Sequence, residues 1–312
     1  MEGMLTPHYS WPIIGHTKSL RQLEEDVLKK RLSHAYLFEG PAHIGKRTIA
    51  RTFAQILQCP EGFCKKCATC KQIEQSQHLD TFEFLDNGES FKIEEVRQLL
   101  SHLSTTSLNR HKIVILQNIE RMTPDAANAL LKTLEEPNPK VLFIFTTTHK
   151  QKLLDTILSR VRILSFSAVS ENSLRDHLLK LQPGLDAETV HTMVSFSMGK
   201  PGRAVRFLEE PDFFRLYRDL YDQIVRFFDK SLVTDRFLFV EELIKDETLI
   251  PPFLELFTHV VRGFLLQKME GKSIPYEFSV LFALIEKVEQ TRFDLEHNVQ
   301  AKLVLENLMM EF

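Results

Sequence analysis

Three groups of residues could do chemistry by type and spacing. The first is GPAHIGKRT, Gly40 to Thr48. Gly40 and Gly45 permit a backbone that wraps an anion. Lys46 adds a point positive charge, and the helix expected to follow presents unpaired N–H groups at its start. A phosphate loop that also holds magnesium has Ser or Thr directly after the lysine. Here Arg47 stands there, and Thr48 lies one position late, ~100° further around a helix. The loop points to nucleotide binding by Gly40, Gly45, Lys46 and Thr48, or to a relic that only shapes a turn. It points away from hydrolysis. The second group is Gln117 and Asn118, which follow the apolar run Ile113 to Leu116. Many nucleotide-hydrolysing proteins keep acids there to manage a metal ion and a water. Amides have a similar shape but no charge and no basic lone pair to take a proton.

The third group is Cys59, Cys64, Cys67 and Cys70, spaced C-x4-C-x2-C-x2-C. Four thiolates at this spacing close a tetrahedral zinc site with no position left for water. Lys65, Lys66 and Lys71 lie close in sequence and would favour the thiolate form. The two-residue spacers also suit an iron–sulfur cluster, although the x3-C-P ending is missing. Unligated thiols are the third possibility. All four cysteines fall in one short stretch, which argues for a metal over a disulfide framework.

The elements that must position these groups alternate. AYLFEG, ending at Gly40, reads as a strand, and Ile49 to Gln58 as a helix. Thr81 to Leu85 is a second strand, with a turn at Asp86, Asn87 and Gly88. Ile93 to about Ser104 is a helix with Ile93, Val96, Leu99, Leu100 and Leu103 on one face. Lys112 to Pro137 supplies the third strand and then a helix from Pro124 to Leu134. Val141 to Thr146 and Arg162 to Phe166 complete five strands. Strands alternating with helices predict a parallel α/β sheet with ligands at the carboxyl ends, where Gly40, Gln117 and Thr146 to Thr148 should converge. Upstream, Leu20, Leu23 and Leu28 follow IIGH at helical spacing. Beyond Phe166 the chain turns helical, with helices at 171–181 and 186–198, then Gly202 and Arg203 opening a third. From Pro211 it is rich in phenylalanine, including Phe213, Phe214, Phe227, Phe228, Phe237, Phe239, Phe253, Phe257 and Phe264. A helical-bundle core explains these.

The chain has 312 residues, a formal charge of −3 and 26% charged residues. That balance excludes a strongly basic, free-standing nucleic-acid binder. The opening MEGMLTPHYSWP lacks the basic and apolar regions of a signal peptide. No uninterrupted apolar run approaches ~18 residues, so the expectation is a cytoplasmic protein.

HAYLFEGP, the cysteine cluster, ANALLKTLEEP (Ala127 to Pro137) and TILSR (Thr156 to Arg160) together resemble the bacterial clamp-loader ATPase family. This is the AAA+ group that opens the sliding clamp of the replicative DNA polymerase. The resemblance covers residues 13 to about 205 and reaches the rest only by length and class. It implies an AAA+ RecA-like domain at 1–167 with a zinc module at 59–70, a helical lid at 168–209 and an all-α collar at 210–312. It implies partnership with gamma/tau motor subunits and a delta subunit, and action on the clamp and primed DNA through the complex. The motor subunits have a complete phosphate loop and an Asp-Glu pair. Arg47, Gln117 and Asn118, and a chain that stops soon after one bundle, favour the delta-prime kind, a structural stator with a degenerate site. The family's Ser-Arg-Cys motif offers its arginine to the ATP of the adjacent motor. The matching residues are Ser159 and Arg160, with Val161 in the third place. The alternative for Arg160 is pairing with a local carboxylate. Two rival functions remain: a working ATPase using Thr48 and Glu120 in shifted register, and a DNA-binding zinc module.

Overall fold

The structure, a computed structural model, describes residues 9–86, 88–103, 111–230 and 232–311. It divides into two compact units, Met1–Ala204 and Val205–Phe312.

The first unit is built on five parallel strands: β1 (Ala35–Glu39), β2 (Thr81–Phe84), β3 (Lys112–Leu116), β4 (Val141–Thr147) and β5 (Arg162–Ser165). Their order is β2-β3-β4-β1-β5. Every residue of β3 and β4 is buried, as expected of strands covered on both faces. One face carries α1 (Thr17–Leu28), α2 (Lys46–Gln58) and α3 (Ala68–Glu74). They pack Leu20, Leu23, Ile49, Phe53 and Ile73 against Tyr36, Phe38, Ile113 and Ile144. The other face carries α4 (Ile93–Leu103), α5 (Pro124–Glu135) and α6 (Asp155–Leu158). They pack Val96, Leu99, Leu130, Leu134 and Ile157 against Leu37, Val114, Phe143 and Phe145. The expected α/β sheet with helices on both faces is therefore present, and so is the convergence of strand ends. Gly40 N–H donates to the Thr147 carbonyl at 3.2 Å, and Asn118 N–H to Thr146 Oγ1 at 3.0 Å.

Local departures have local causes. The helix after the phosphate loop begins at Lys46, not Ile49, because Gly45 supplies the left-handed turn (φ +97°) that starts it. Leu28 is 54% exposed, since it ends its helix beyond the face used by Leu20 and Leu23. The expected turn at 86–88 keeps an Asp86 Oδ1 acceptor for Gly88 N–H at 2.9 Å, but Asn87 and Ser104 lie outside the described residues. One polar tie is buried. Asp26 accepts from Tyr36 Oη at 2.9 Å and from Arg162 at 2.7 Å, linking α1 to β1 and β5. Three further helices follow, α7 (Glu171–Leu181), α8 (Ala187–Ser197) and α9 (Pro201–Glu209). Thr123, Ser170 and Asp186 cap α5, α7 and α8 by accepting from backbone N–H groups.

The second unit contains α10 (Pro211–Lys230), α11 (Val233–Leu243), α12 (Ile250–Met269), α13 (Phe278–Glu296) and α14 (Ala301–Met309). Phe227, Phe228, Phe239, Phe253 and Phe257 are buried in its core, in agreement with the bundle reading. The segment Glu247–Met269 is long and apolar enough to cross a membrane by length and composition. Within the bundle, Phe253, Leu254, Leu256, Phe257, Val260 and Val261 from this segment are buried.

Two glycines of the phosphate loop differ in what they permit. A Cβ on Gly40 would lie 2.2 Å from the Phe166 carbonyl oxygen, whereas one on Gly45 would meet nothing within 4 Å. Gly45→Ala should therefore cost only the positive-φ penalty, ~1–2 kcal/mol. Gly40→Ala adds a backbone clash and should cost more, by a further ~1–3 kcal/mol. Urea unfolding of the two variants compares them directly, and equal losses would contradict this account.

Candidate nucleotide and metal sites

The phosphate loop lies between β1 and α2. Lys46 is buried and its Nζ donates to the carbonyls of Gly40 at 2.5 Å and Pro41 at 2.8 Å. The loop thus satisfies its own lysine. Burial lowers the Lys46 ammonium from its ordinary 10.5 to about 8; nearby Glu120 opposes this and Lys200 adds to it. The first turn of α9 also approaches the loop, with Gly202 N–H donating to the His43 carbonyl at 2.8 Å. A Cβ at Gly202 would lie 2.9 Å from that oxygen. Lys46 therefore lies near both Glu120 and Lys200. Thr48 is exposed on α2.

Arg47, at the position of a metal-binding hydroxyl, makes an ion pair instead. Its Nε lies 2.7 Å from Glu83 Oε1. The Glu83 side chain is 2% exposed and accepts from four residues. Gln117 Nε2 reaches Oε1 at 2.9 Å. Arg51 Nε and Ser76 Oγ each reach Oε2 at 2.7 Å. Burial pushes the Glu83 carboxyl up, but hydrogen bonds from Arg51, Ser76 and Arg47 outweigh it and hold it below the ordinary carboxylate range. Asn118 Nδ2 donates to Asp86 Oδ2 at 2.6 Å. A cavity of about 190 Å³ opens beside this amide pair. Glu120, two residues beyond Asn118, is engaged after β4 and also acts on Lys46. Its Oε1 accepts from Thr148 N at 2.8 Å and Thr148 Oγ1 at 2.6 Å. Burial raises the Glu120 carboxyl, and these bonds more than offset that. Guanidinium and amide N–H groups do not fit magnesium, which takes oxygen donors in octahedral array.

The cysteines meet at the junction of α2 and α3. Their four Sγ atoms all lie within 4.8 Å of one another. Cys59 Sγ is 3.7 Å from Cys64 Sγ and 3.8 Å from Cys67 Sγ. Sulfurs about 2.3 Å from one tetrahedral zinc stand about 3.8 Å apart. The donor set therefore fits a single ion; a multi-iron cluster would hold its ligands further apart. Backbone N–H groups of Cys64, Cys67 and Cys70 point at the sulfurs of Cys59, Cys64 and Cys67 at 3.5, 3.3 and 3.4 Å. Burial raises the Cys59 thiol, but the N–H groups of Cys64, Glu61 and Phe63 prevail and bring it to about 6. The expected help from lysine side chains takes another form. Lys65 Nζ sits over the Phe63 ring at 4.9 Å, and backbone amides supply the thiolate stabilisation.

Arg160 follows α6 and is partly exposed. Its guanidinium donates to Glu135 Oε1 at 2.8 Å, the Thr156 carbonyl at 2.8 Å and Ser159 Oγ at 3.1 Å. The local carboxylate partner considered from sequence therefore exists, and it lies inside ANALLKTLEEP. Sequence reasoning missed Glu83 and Lys200. The signal for Glu83 was an acid inside the apolar strand TFEFL, since acids are almost never buried unpaired. Lys200 carried no local signal.

Two outcomes follow from this geometry. Purified protein should contain about one zinc per chain, and Cys59→Ser with Cys70→Ser should lose it and the tight Sγ cluster together. Iron with visible absorbance, or no metal, would refute the zinc assignment. For Lys46, the folded value lies below the unfolded one. Between about 8 and 10.5 the unfolded chain binds the extra proton, so the stability linked to Lys46 rises across that window and is absent below it. The unfolding free energy of wild type relative to Lys46→Met should therefore grow as pH rises through the window. A flat difference in urea titrations would show that Lys46 titrates as it does in water.

A family profile described as DNA polymerase III, delta subunit, matches residues 15–170, half of the chain. The delta' subunit of DNA polymerase III from Bacillus subtilis (strain 168) is 38% identical over 165 residues, 52% of this chain and 50% of that protein. The tau/gamma subunit from Haemophilus influenzae is 37% identical over 171 residues, 53% of this chain and 25% of that protein. The chain thus spans half or less of the length of these curated relatives. Among solved structures, a DNA polymerase III gamma subunit-related protein from Thermotoga maritima is similar at 21% identity, with a TM-score of 0.49 and coverage of 93% of this chain and 97% of that one. The matched segment holds the phosphate loop, the cysteine cluster, the amide pair and Arg160, and the chain belongs to the DNA polymerase III clamp-loader family.

Proposed function

We propose that this chain is a delta-prime subunit: a structural member of a bacterial clamp loader that does not hydrolyse ATP and lends Arg160 to a neighbouring gamma/tau motor. The observation that carries the proposal is the engaged amide pair. Gln117 and Asn118 stand where hydrolysis needs acids, and their donors are spent on Glu83 and Asp86. Turnover needs magnesium neutralisation and an oriented water. Loss of a general base alone costs ~10²–10⁴ in rate, and Arg47 adds the loss of a metal ligand. Thr148 is held by Glu120, which weighs against the rival with Thr48 and Glu120 in shifted register. Gly40, Gly45 and Lys46 would hold a nucleotide without cleaving it.

The pairing of Arg160 with Glu135 is compatible with action in trans. Both side chains are partly exposed, at 32% and 51%. Such pairs are worth ~0–1 kcal/mol, so a polyphosphate can displace the carboxylate at little cost. Guanidinium is planar, always charged and able to bridge two oxygens. In this reading Ser159 orients Arg160, and Cys59, Cys64, Cys67 and Cys70 hold a structural zinc. The divisions 1–167, 168–209 and 210–312 act as nucleotide, lid and collar domains. The partners are gamma/tau, delta, and through them the sliding clamp and primed DNA, in the cytoplasm.

Arg160→Ala in the reconstituted loader should assemble normally and lower clamp- and DNA-stimulated ATPase by at least about tenfold, given that arginine fingers supply ~10³–10⁵ in GTPases. Unchanged turnover with normal assembly would remove the trans role. Robust turnover by the isolated chain would return it to the motor class.

A further inference from the structure

The phosphate loop and its surroundings disagree with the metal that usually accompanies a bound nucleotide. Three observations meet at one point. Arg47 occupies the first-turn position of α2 where a metal-binding hydroxyl belongs, and it is paired with Glu83 at 2.7 Å. Arg51, one turn on, reaches the other oxygen of the same carboxylate at 2.6 Å. Gln117, at the end of β3 where a metal-positioning acid belongs, donates to Glu83 as well. Two guanidiniums against one carboxylate leave about one net positive charge fixed beside the loop. Arg47, Arg51 and the Gln117 amide nitrogen are donors spent on Glu83, whose carboxylate is fully engaged by them and by Ser76. The carboxylate left near Lys46 is Glu120, whose Oε1 is held by Thr148. A divalent cation entering here would meet cations and donors, would have to shed water it gives up reluctantly, and would find no octahedral oxygen set.

We propose that this loop takes a nucleoside di- or triphosphate as the metal-free anion, with the Arg47–Glu83–Gln117 network standing in the place of magnesium and its ligands. The inference rests on the nucleotide-holding reading above and goes further by naming the ionic form of the ligand. Lys46 and Lys200 supply counter-charge on the loop side. Burial is the main reason the Lys46 ammonium sits low; Glu120 opposes the shift and Lys200 adds to it. The carbonyls of Gly40 and Pro41 keep Lys46 in place until phosphate oxygens displace them. Glu83 matters as an adaptor. It bridges Arg47 on one oxygen and Arg51 on the other and ties both to β2. The magnesium that normally offsets a polyphosphate is thus replaced by charge that the fold itself carries.

The test is a titration of the full-length, metal-loaded chain with a fluorescent ADP analogue, in excess magnesium and in a buffer where sodium replaces it at equal ionic strength. Chelators are avoided so that the cysteine site keeps its ion. The dissociation constants should agree within about twofold or be tighter without magnesium. Binding at least about tenfold tighter with magnesium would overturn the metal-free assignment and leave the nucleotide site standing. Absence of binding in both buffers would remove the nucleotide site and this inference with it, while the Arg160 assay stays independent. A second arm uses Arg47→Thr combined with Gln117→Asp, which restores oxygen donors. This variant should gain a magnesium dependence of at least about fivefold; Arg47→Thr alone, which leaves Arg51, Ser76 and Gln117 on Glu83, should shift the same way if the fold does not tolerate the pair. If it binds equally in both buffers, Arg47 and Gln117 are not what excludes the metal.

Discussion

Five strands that all run in one direction bring their carboxyl ends to one edge, and the chemistry of the first unit depends on that constraint. β1 lies between β4 and β5, and β3 lies beside β4. The loops after β1, β3 and β4 therefore open side by side. Residues as distant in sequence as Gly40, Asn118 and Thr147 come within hydrogen-bonding networks of one another. Any residue type placed at those positions must answer to its neighbours in charge and donor count. Acids there demand a cation; amides and an arginine demand a carboxylate.

Glu83 meets that demand. Its carboxylate on β2 satisfies Arg47 and Arg51 from α2, Ser76 from the turn after α3, and Gln117 from β3. Burying one carboxylate without such partners costs several kcal/mol, so the acid and the residues around it form one interdependent unit. Glu120 has a parallel role one strand over, fastening the turn after β3 to Thr148 after β4. The edge of the sheet is closed by internal pairs, while the glycines of the loop keep their conformations. A scaffold shaped for nucleotide can in this way survive the loss of its acids.

The strands were legible because runs such as Ile113–Leu116 and Val141–Thr146 are apolar, β-branched and short. Observed limits differ from these by a residue. The cysteine cluster was legible because metal-binding spacing is local. Leu20, Leu23 and Leu28 do lie on one helix, and spacing alone does not say that its last residue leaves the core. What spacing did not show is the part played by backbone N–H groups at Cys59 and the contact of Lys65 with the Phe63 ring. The partners of Glu83, the place of Lys200 and which carboxylate meets Arg160 were out of reach, because each joins segments far apart in sequence. Only the sheet order determines which of the many charged candidates meet.

The buried tie at Asp26 has a mechanical consequence. Arg162 is fastened to Asp26, which also accepts from Tyr36 on β1, next to the edge strand β5. Only Val161 separates Arg162 from Arg160. The surface guanidinium is thus mounted on a very short lever whose fulcrum is an internal carboxylate on α1. A change at Asp26 would therefore loosen β5 just beyond Arg160, whose own side chain is held by Thr156, Ser159 and Glu135.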